Sequence, residues 1–119
     1  MRTIQVFFIA LVAFIHFYFL ILEMFLWTKP KGLKTFGLNK DFARQSKVLA
    51  ANQGLYNGFL AAGLIWSVVN KSFGTQIALF FLTCVLIAGF YGAYSTGKLK
   101  ILLIQAIPAL IAIILILIK

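Results

Sequence analysis

The sequence predicts an all-α, polytopic membrane protein: a single four-transmembrane-helix bundle over residues 1–119, with both termini outside. Three observations carry that expectation. Of the 119 residues, 63% are apolar and 11% charged, and the mean hydropathy is +1.04, values outside the soluble globular class. Helices expected at approximately 4–27, 40–69, 74–95 and 101–118, the second with its apolar run at 48–69, each carry a run long enough to cross a hydrocarbon layer of about 30 Å, and no soluble domain fits in what remains. The basic residues are unevenly placed. Lys29, Lys31, Lys34, Lys40, Arg44 and Lys47 lie between the first two runs and Lys98 and Lys100 between the last two, against Arg2, Lys71 and Lys119 on the other side. With an even number of spans, the positive-inside bias puts both basic connections in the cytoplasm.

A formal charge of +9, with Glu23 and Asp41 the two acids, suggests nucleic acid in a soluble chain. Here the cations sit at helix ends, where anionic headgroups account for them, so membrane lipids and not nucleic acid are the expected partners. Cys84 is the single cysteine, which rules out an internal disulfide or a zinc cluster and leaves it as a small core residue. Residues 1–26 are too long an apolar run for a signal peptide and lack an Ala-x-Ala-like site, so the first span is expected to be retained.

In the first run His16 and Glu23 stand seven residues apart, nearly two helical turns, and project from similar sides. Trp27 fits an interfacial ring, which places Glu23 about one turn inside it and His16 about three. Pro30 and Gly32 read as breakers, and residues 33–39 as a segment lying on the membrane surface. Asn39 is the expected N-cap of a second helix that continues unbroken from near Lys40 to Val69. The first half of its apolar part is polar, with Asn52, Gln53, Tyr56 and Asn57, and Ala50, Gly54, Gly58 and Ala62 form a small-residue stripe at four-residue spacing. In the third run Gly89, Ala93 and Gly97 share a half-helix with Tyr91 and Tyr94. The fourth holds Gln105 and Pro108, and the proline releases the Ile104 carbonyl and is expected to kink the helix.

Antiparallel spans would gather Glu23, Asn52, Gln53, Tyr91, Tyr94 and Gln105 in one layer of the inner leaflet, with Tyr56, Asn57 and His16 one to two turns deeper. The expected shape is a cup openable toward the cytoplasm, with an apolar floor. Glu23 is the sharpest residue, since a carboxylate surrounded by hydrocarbon protonates, finds a cation, or recruits amide donors such as Asn52 and Gln53. It is a candidate proton carrier, cation ligand or general acid/base; the bland alternative is an interfacial pair with Lys29 or headgroups. His16 reads as a proton relay or deep ligand, or as a neutral imidazole bonded to a neighbouring helix. Asn52, Gln53, Tyr56, Asn57, Tyr91, Tyr94 and Gln105 are the ligand-binding candidates, against a role as helix-to-helix glue. The glycines read as packing residues. One histidine and one cysteine supply too few ligands for a metal or haem, so no cofactor is expected.

At E-M-F-L-W-T (23–28) and V-L-A-A-N-Q-G-L-Y-N-G-F-L-A-A-G-L (48–64) the chain resembles the DUF1304 family of small integral membrane proteins. F-G-L (36–38) and G-x-Y-G (89–92) fit as well, and the resemblance covers essentially the whole chain. It implies a four-span protein and a complete chain, and it carries no catalytic role onto Glu23 or any other position.

Three functions compete on these residues. The first is a small proton-coupled or cation/small-molecule transporter in the cell membrane, working through Glu23 and, having few helices, expected to form a homo-oligomer through the Gly54/Gly58 or Gly89/Ala93 faces. The second is an intramembrane binding protein or isomerase-type enzyme for a lipid- or isoprenoid-like, amphiphilic ligand. The third is a structural or regulatory subunit of a membrane complex. The absence of a nucleophile–base arrangement favours transport.

Overall fold

Residues 3–25 contain neither proline nor glycine, and the computed structural model, which describes residues 1–118, forms them into one helix, α1 (Thr3–Phe25). Its 23 residues reach about 34 Å, enough to span. Pro30 then starts a helix instead of merely ending one: its fixed φ suits the first turn of α2 (Pro30–Phe36). Gly37, at φ 64°, caps that helix in the left-handed region and donates its N–H to the Leu33 carbonyl. Asn39 caps α3 (Lys40–Gln45) as the sequence suggests, its Oδ1 accepting from the Phe42 N–H at 2.7 Å.

The second long helix is broken. Ser46 leaves helical geometry (φ −98°, ψ 7°), and its backbone N–H and hydroxyl both donate to the Phe42 carbonyl before α4 (Lys47–Val69) begins. The run from Lys40 is therefore two helices with Ser46 between them. Asn70 closes the following turn, its Oδ1 accepting from the Ser72 and Phe73 N–H groups, and α5 (Gly74–Thr96) ends at Gly97, φ 71°.

The last run differs from a simply kinked helix. After α6 (Leu99–Ile101) the chain widens into a π turn, Leu102–Ala106, and then enters α7 (Ile107–Leu117) with Pro108 in its first turn. The Ile107 N–H bonds to the Leu102 carbonyl, five residues back. Pro108 has no N–H for the Ile104 carbonyl, and the wide turn is where the backbone absorbs that loss.

Among the described residues three helical runs are long and apolar enough to cross a membrane: Thr3–Phe25, Gly74–Thr96 and Leu99–Leu117. The protein is thus all-α, multi-span and of the membrane type. Helix α4 matches them in length, but its amides lower its hydropathy. Lys119, counted above on the outer side, lies outside the described residues.

The chain forms two compact units. One comprises Met1–Ile15 and the chain from Leu60 on. Ile9, Val12, Leu64, Leu82 and Val85 fill its core, with Ala78, Ala109 and Ala112 keeping backbones close. Arg2 Nη2 donates to the Leu115 and Ile118 carbonyls (2.9 and 3.1 Å) and Gln5 Nε2 to that of Leu115 (2.8 Å). A cation and an amide thereby satisfy the open carbonyls at the end of α7, the negative pole of the helix. A methyl on Gly89 would lie 2.8 Å from the Ala106 Cβ, so α5 passes against the π turn with almost no side chain between.

The other unit, His16–Phe59, contains the folded connection between α1 and α4. Trp27 Nε1 donates to Ser46 Oγ at 3.0 Å, and the Trp27 and Phe36 rings pack 5.0 Å apart. The backbone of Gly32 runs against the Leu26 carbonyl so closely that an added Cβ would overlap it.

Gly32→Ala is therefore expected to destabilise the protein by about 1–3 kcal/mol. Gly92→Ala, whose methyl would meet only the Ile101 side chain at 3.2 Å, is expected to change little. Thermal unfolding in detergent distinguishes them, and equal shifts would contradict the folded connection.

Candidate functional site

Helix α1 turns Glu23 inward on the stripe that also buries His16, Leu22 and, further along, Ile9 and Val12. The matching stripe on α4 is Ala50, Gly54, Asn57, Ala61 and Leu64, all buried. It alternates four- and three-residue steps, the spacing that stays on one face of a helix packed lengthwise on another. The four-residue stripe read from the sequence drifts off that face, because each step advances about 400°, and Ala62 at its end is exposed.

Glycine decides how close the two helices come. A Cβ on Gly54 would lie 2.7 Å from Met24 Cγ and 3.0 Å from the Glu23 Cβ; one on Gly58 would lie 2.6 Å from Leu20 Cδ1. Side chains of α1 thus rest directly on the α4 backbone. In that seam Asn57 Nδ2 donates to Glu23 Oε1 at 2.5 Å, with 9% of Glu23 and 4% of Asn57 exposed. A buried carboxylate in a membrane-length helix is met by a neutral amide from the facing helix.

This pairing corrects the expected depths. Asn57 is level with Glu23, and Asn52, five residues earlier, lies about 7.5 Å nearer the basic connection. The expected donors Asn52 and Gln53 are exposed. The shift follows from the break at Ser46: the residues from Lys40 to Gln45 fold into a separate helix, so depth cannot be counted from Lys40. Tyr56 is also exposed, its ring edge-on to Phe59 at 5.7 Å.

His16 is fully buried, edge-on to Phe19 with ring centroids 5.8 Å apart, and about 10 Å of helix rise separates it from Glu23. Tyr91, Tyr94 and Gln105, expected in the same layer, belong to the other compact unit. There Tyr91 and Tyr94 are exposed on α5, and Gln105 is half-buried in the π turn.

Two of the clefts among the described residues hold about 340 Å³ each. One is lined by Met1, Val6, Val68 and the turn from Asn70 to Thr75, the other by Trp66, Gln76, Ile77, Phe80 and Phe81. Glu23 and Asn57 line neither. Glu23 lies in a closely packed seam, because the glycines let side chains of α1 rest on the α4 backbone.

Chemically, the pair is versatile without being a nucleophile–base arrangement. An ionised Glu23 accepts from the Asn57 amide nitrogen; a protonated Glu23 can donate to the same amide's oxygen once the amide turns over. Among the described residues no group of three or more histidine, cysteine or acidic side chains is placed to hold a metal. The signal that finds Asn57 in the sequence is its position between Gly54 and Gly58, which marks where a facing helix comes closest.

Residues 10–117 match the family model described as "Protein of unknown function (DUF1304)". A similar protein of Lactococcus lactis subsp. lactis (strain IL1403), described as "Uncharacterized protein YpaA", is 33% identical over 106 residues, covering 87% of this chain and 88% of its own. No solved structure matches.

Asn57→Ala leaves a buried carboxyl without its partner and is expected to cost about 1–3 kcal/mol. Glu23→Gln keeps an acceptor oxygen opposite Asn57 and is expected to cost less. Thermal unfolding in detergent reads both, and a larger loss for Glu23→Gln would contradict the pairing.

Proposed function

The chain belongs to the DUF1304 family, and we propose that it works as a small proton-coupled or cation/small-molecule transporter of the cell membrane, with Glu23 as its intramembrane carboxylate. The observation that carries the reading is the buried hydrogen bond from Asn57 to Glu23. Asn57 acts as an internal stand-in for cargo: its N–H group takes the place at Oε1 that a transported cation or donor occupies in the loaded state. Because one amide serves both the charged and the neutral carboxyl, a proton can be exchanged for cargo with no second charge in the seam. Leu20 and Met24, which cover Gly58 and Gly54, are flexible side chains whose rotation opens the seam.

The reading includes four crossings with both ends outside. Support for the fourth comes from the unit holding the chain ends. Met1 Cε lies 3.0 Å from where a Cβ on Gly74 would be, and Arg2 reaches the Leu115 and Ile118 carbonyls. The starts of α1 and α5 and the end of α7 therefore share one end. A chain that leaves that end along α1 and is back by Gly74 has retraced the distance along α4. The distribution of Lys and Arg then puts the shared end outside.

Two measurements test this. In proteoliposomes under a membrane potential, the parent protein is expected to carry a proton or cation flux that Glu23→Gln reduces to the level of empty liposomes; equal flux in both would refute the role of Glu23. In a Cys84→Ser background, Lys71→Cys is expected to react with an impermeant maleimide on intact cells and Lys34→Cys only after lysis. Labelling of both on one side would overturn the four-span topology.

A further inference from the structure

We propose that the folded connection between α1 and α4 is a binding surface for the headgroups of anionic phospholipids. Its cations are Lys29, Lys31, Lys34, Lys40, Arg44 and Lys47, all exposed. The one acid of the segment, Asp41, is engaged by Arg44 at 2.8 Å. Lys31 and Lys34 stand three residues apart on α2 and Lys40 and Arg44 four apart on α3, so each short helix presents a basic pair on one face.

Charge alone would fit any polyanion; the apolar residues beside it select a membrane. Phe42, Val48 and Leu49 are 53%, 74% and 73% exposed and lie in the same stretch of chain as Lys40, Arg44 and Lys47. A soluble polyanion offers these side chains no apolar layer, whereas a lipid interface offers phosphate at one level and acyl chain just beneath it. Trp27, an aromatic suited to that same level, is fixed there by its bond to Ser46 and its contact with Phe36.

The surface is also built. Phe36 lies 5.0 Å from the Trp27 ring and 6.4 Å from that of Phe19, Gly37 and Asn39 cap the two short helices, and Gly32 abuts the Leu26 carbonyl. The lysines consequently project from short helices of defined geometry. Cations held on short helices bind phosphate monoanions more tightly than the same charges on a flexible tether, since less freedom is lost on contact.

The test is lipid enrichment. The protein is reconstituted into liposomes of equal parts phosphatidylglycerol and phosphatidylcholine, extracted in polymer-bounded discs, and the retained lipids are measured by mass spectrometry. The parent is expected to enrich phosphatidylglycerol, and that preference is expected to fall with each lysine removed, by up to about fivefold per residue, in Lys31→Gln, Lys34→Gln and Lys40→Gln combined. Lys71→Gln is expected to retain it. Should the triple variant not fold, Lys34→Gln alone and a salt titration of the parent carry the test, the preference decreasing in both. Absence of enrichment in the parent, or the same enrichment in the lysine variants, would overturn the proposal. So would its abolition by millimolar inorganic phosphate at constant ionic strength, which would identify a site for small anions.

Discussion

A carboxyl group within a helix that crosses hydrocarbon must find a polar partner from the protein itself, and the unit of His16–Phe59 is arranged around that requirement at Glu23. Asn57 meets it, and can do so because Gly54 and Gly58 remove the side chains that would hold α1 and α4 apart. The seam, the depth of the acid and the closed character of the site are thus one constraint. A methyl on Gly54 would come within 3.0 Å of the Glu23 Cβ and 3.2 Å of the Leu20 carbonyl oxygen, whereas one on Gly58 would meet only the end of the Leu20 side chain, which can turn aside.

The fold class was legible because hydropathy and length are summed over many residues, and no single contact can change them. Asn39 was legible too, as a cap acts within three residues of itself. Glu23 and Asn57 could each be picked out as polar groups in apolar runs, but their pairing could not. It depends on the register of α1 against α4, and that register is fixed by the break at Ser46 and by the folding of the connection ahead of it. Ser46 matters through a tertiary bond from Trp27, nineteen residues away, which leaves no periodicity in the sequence. Pro30 was legible in part: α1 ends before it, as expected, but proline begins a helix as readily as it ends one, and the following residues decide that. At Pro108 the lost hydrogen bond was foreseeable, but its absorption by a π turn depends on the contact of Ala106 with Gly89.

The two compact units divide the work differently. In the unit holding the chain ends, Arg2 and Gln5 tie the start of α1 to the last carbonyls of α7, so the polar groups serve closure of helix ends. In the unit of His16–Phe59, polar groups occupy a seam between membrane-length helices, and the basic connection caps that seam with ordered short helices. Glu23 stands four residues before Trp27, and hence about one turn from that connection.

The register of α1 against α4 is the claim from which the site follows, and cross-linking measures it directly. With Cys84 replaced by serine, Leu20→Cys and Gly58→Cys together are expected to close a disulfide within one chain under mild oxidation in native membranes, protecting both thiols from a maleimide polymer without a dimer band. Free thiols under those conditions, or faster closure when the second cysteine is moved to position 53, would contradict the seam and with it the pairing of Glu23 with Asn57.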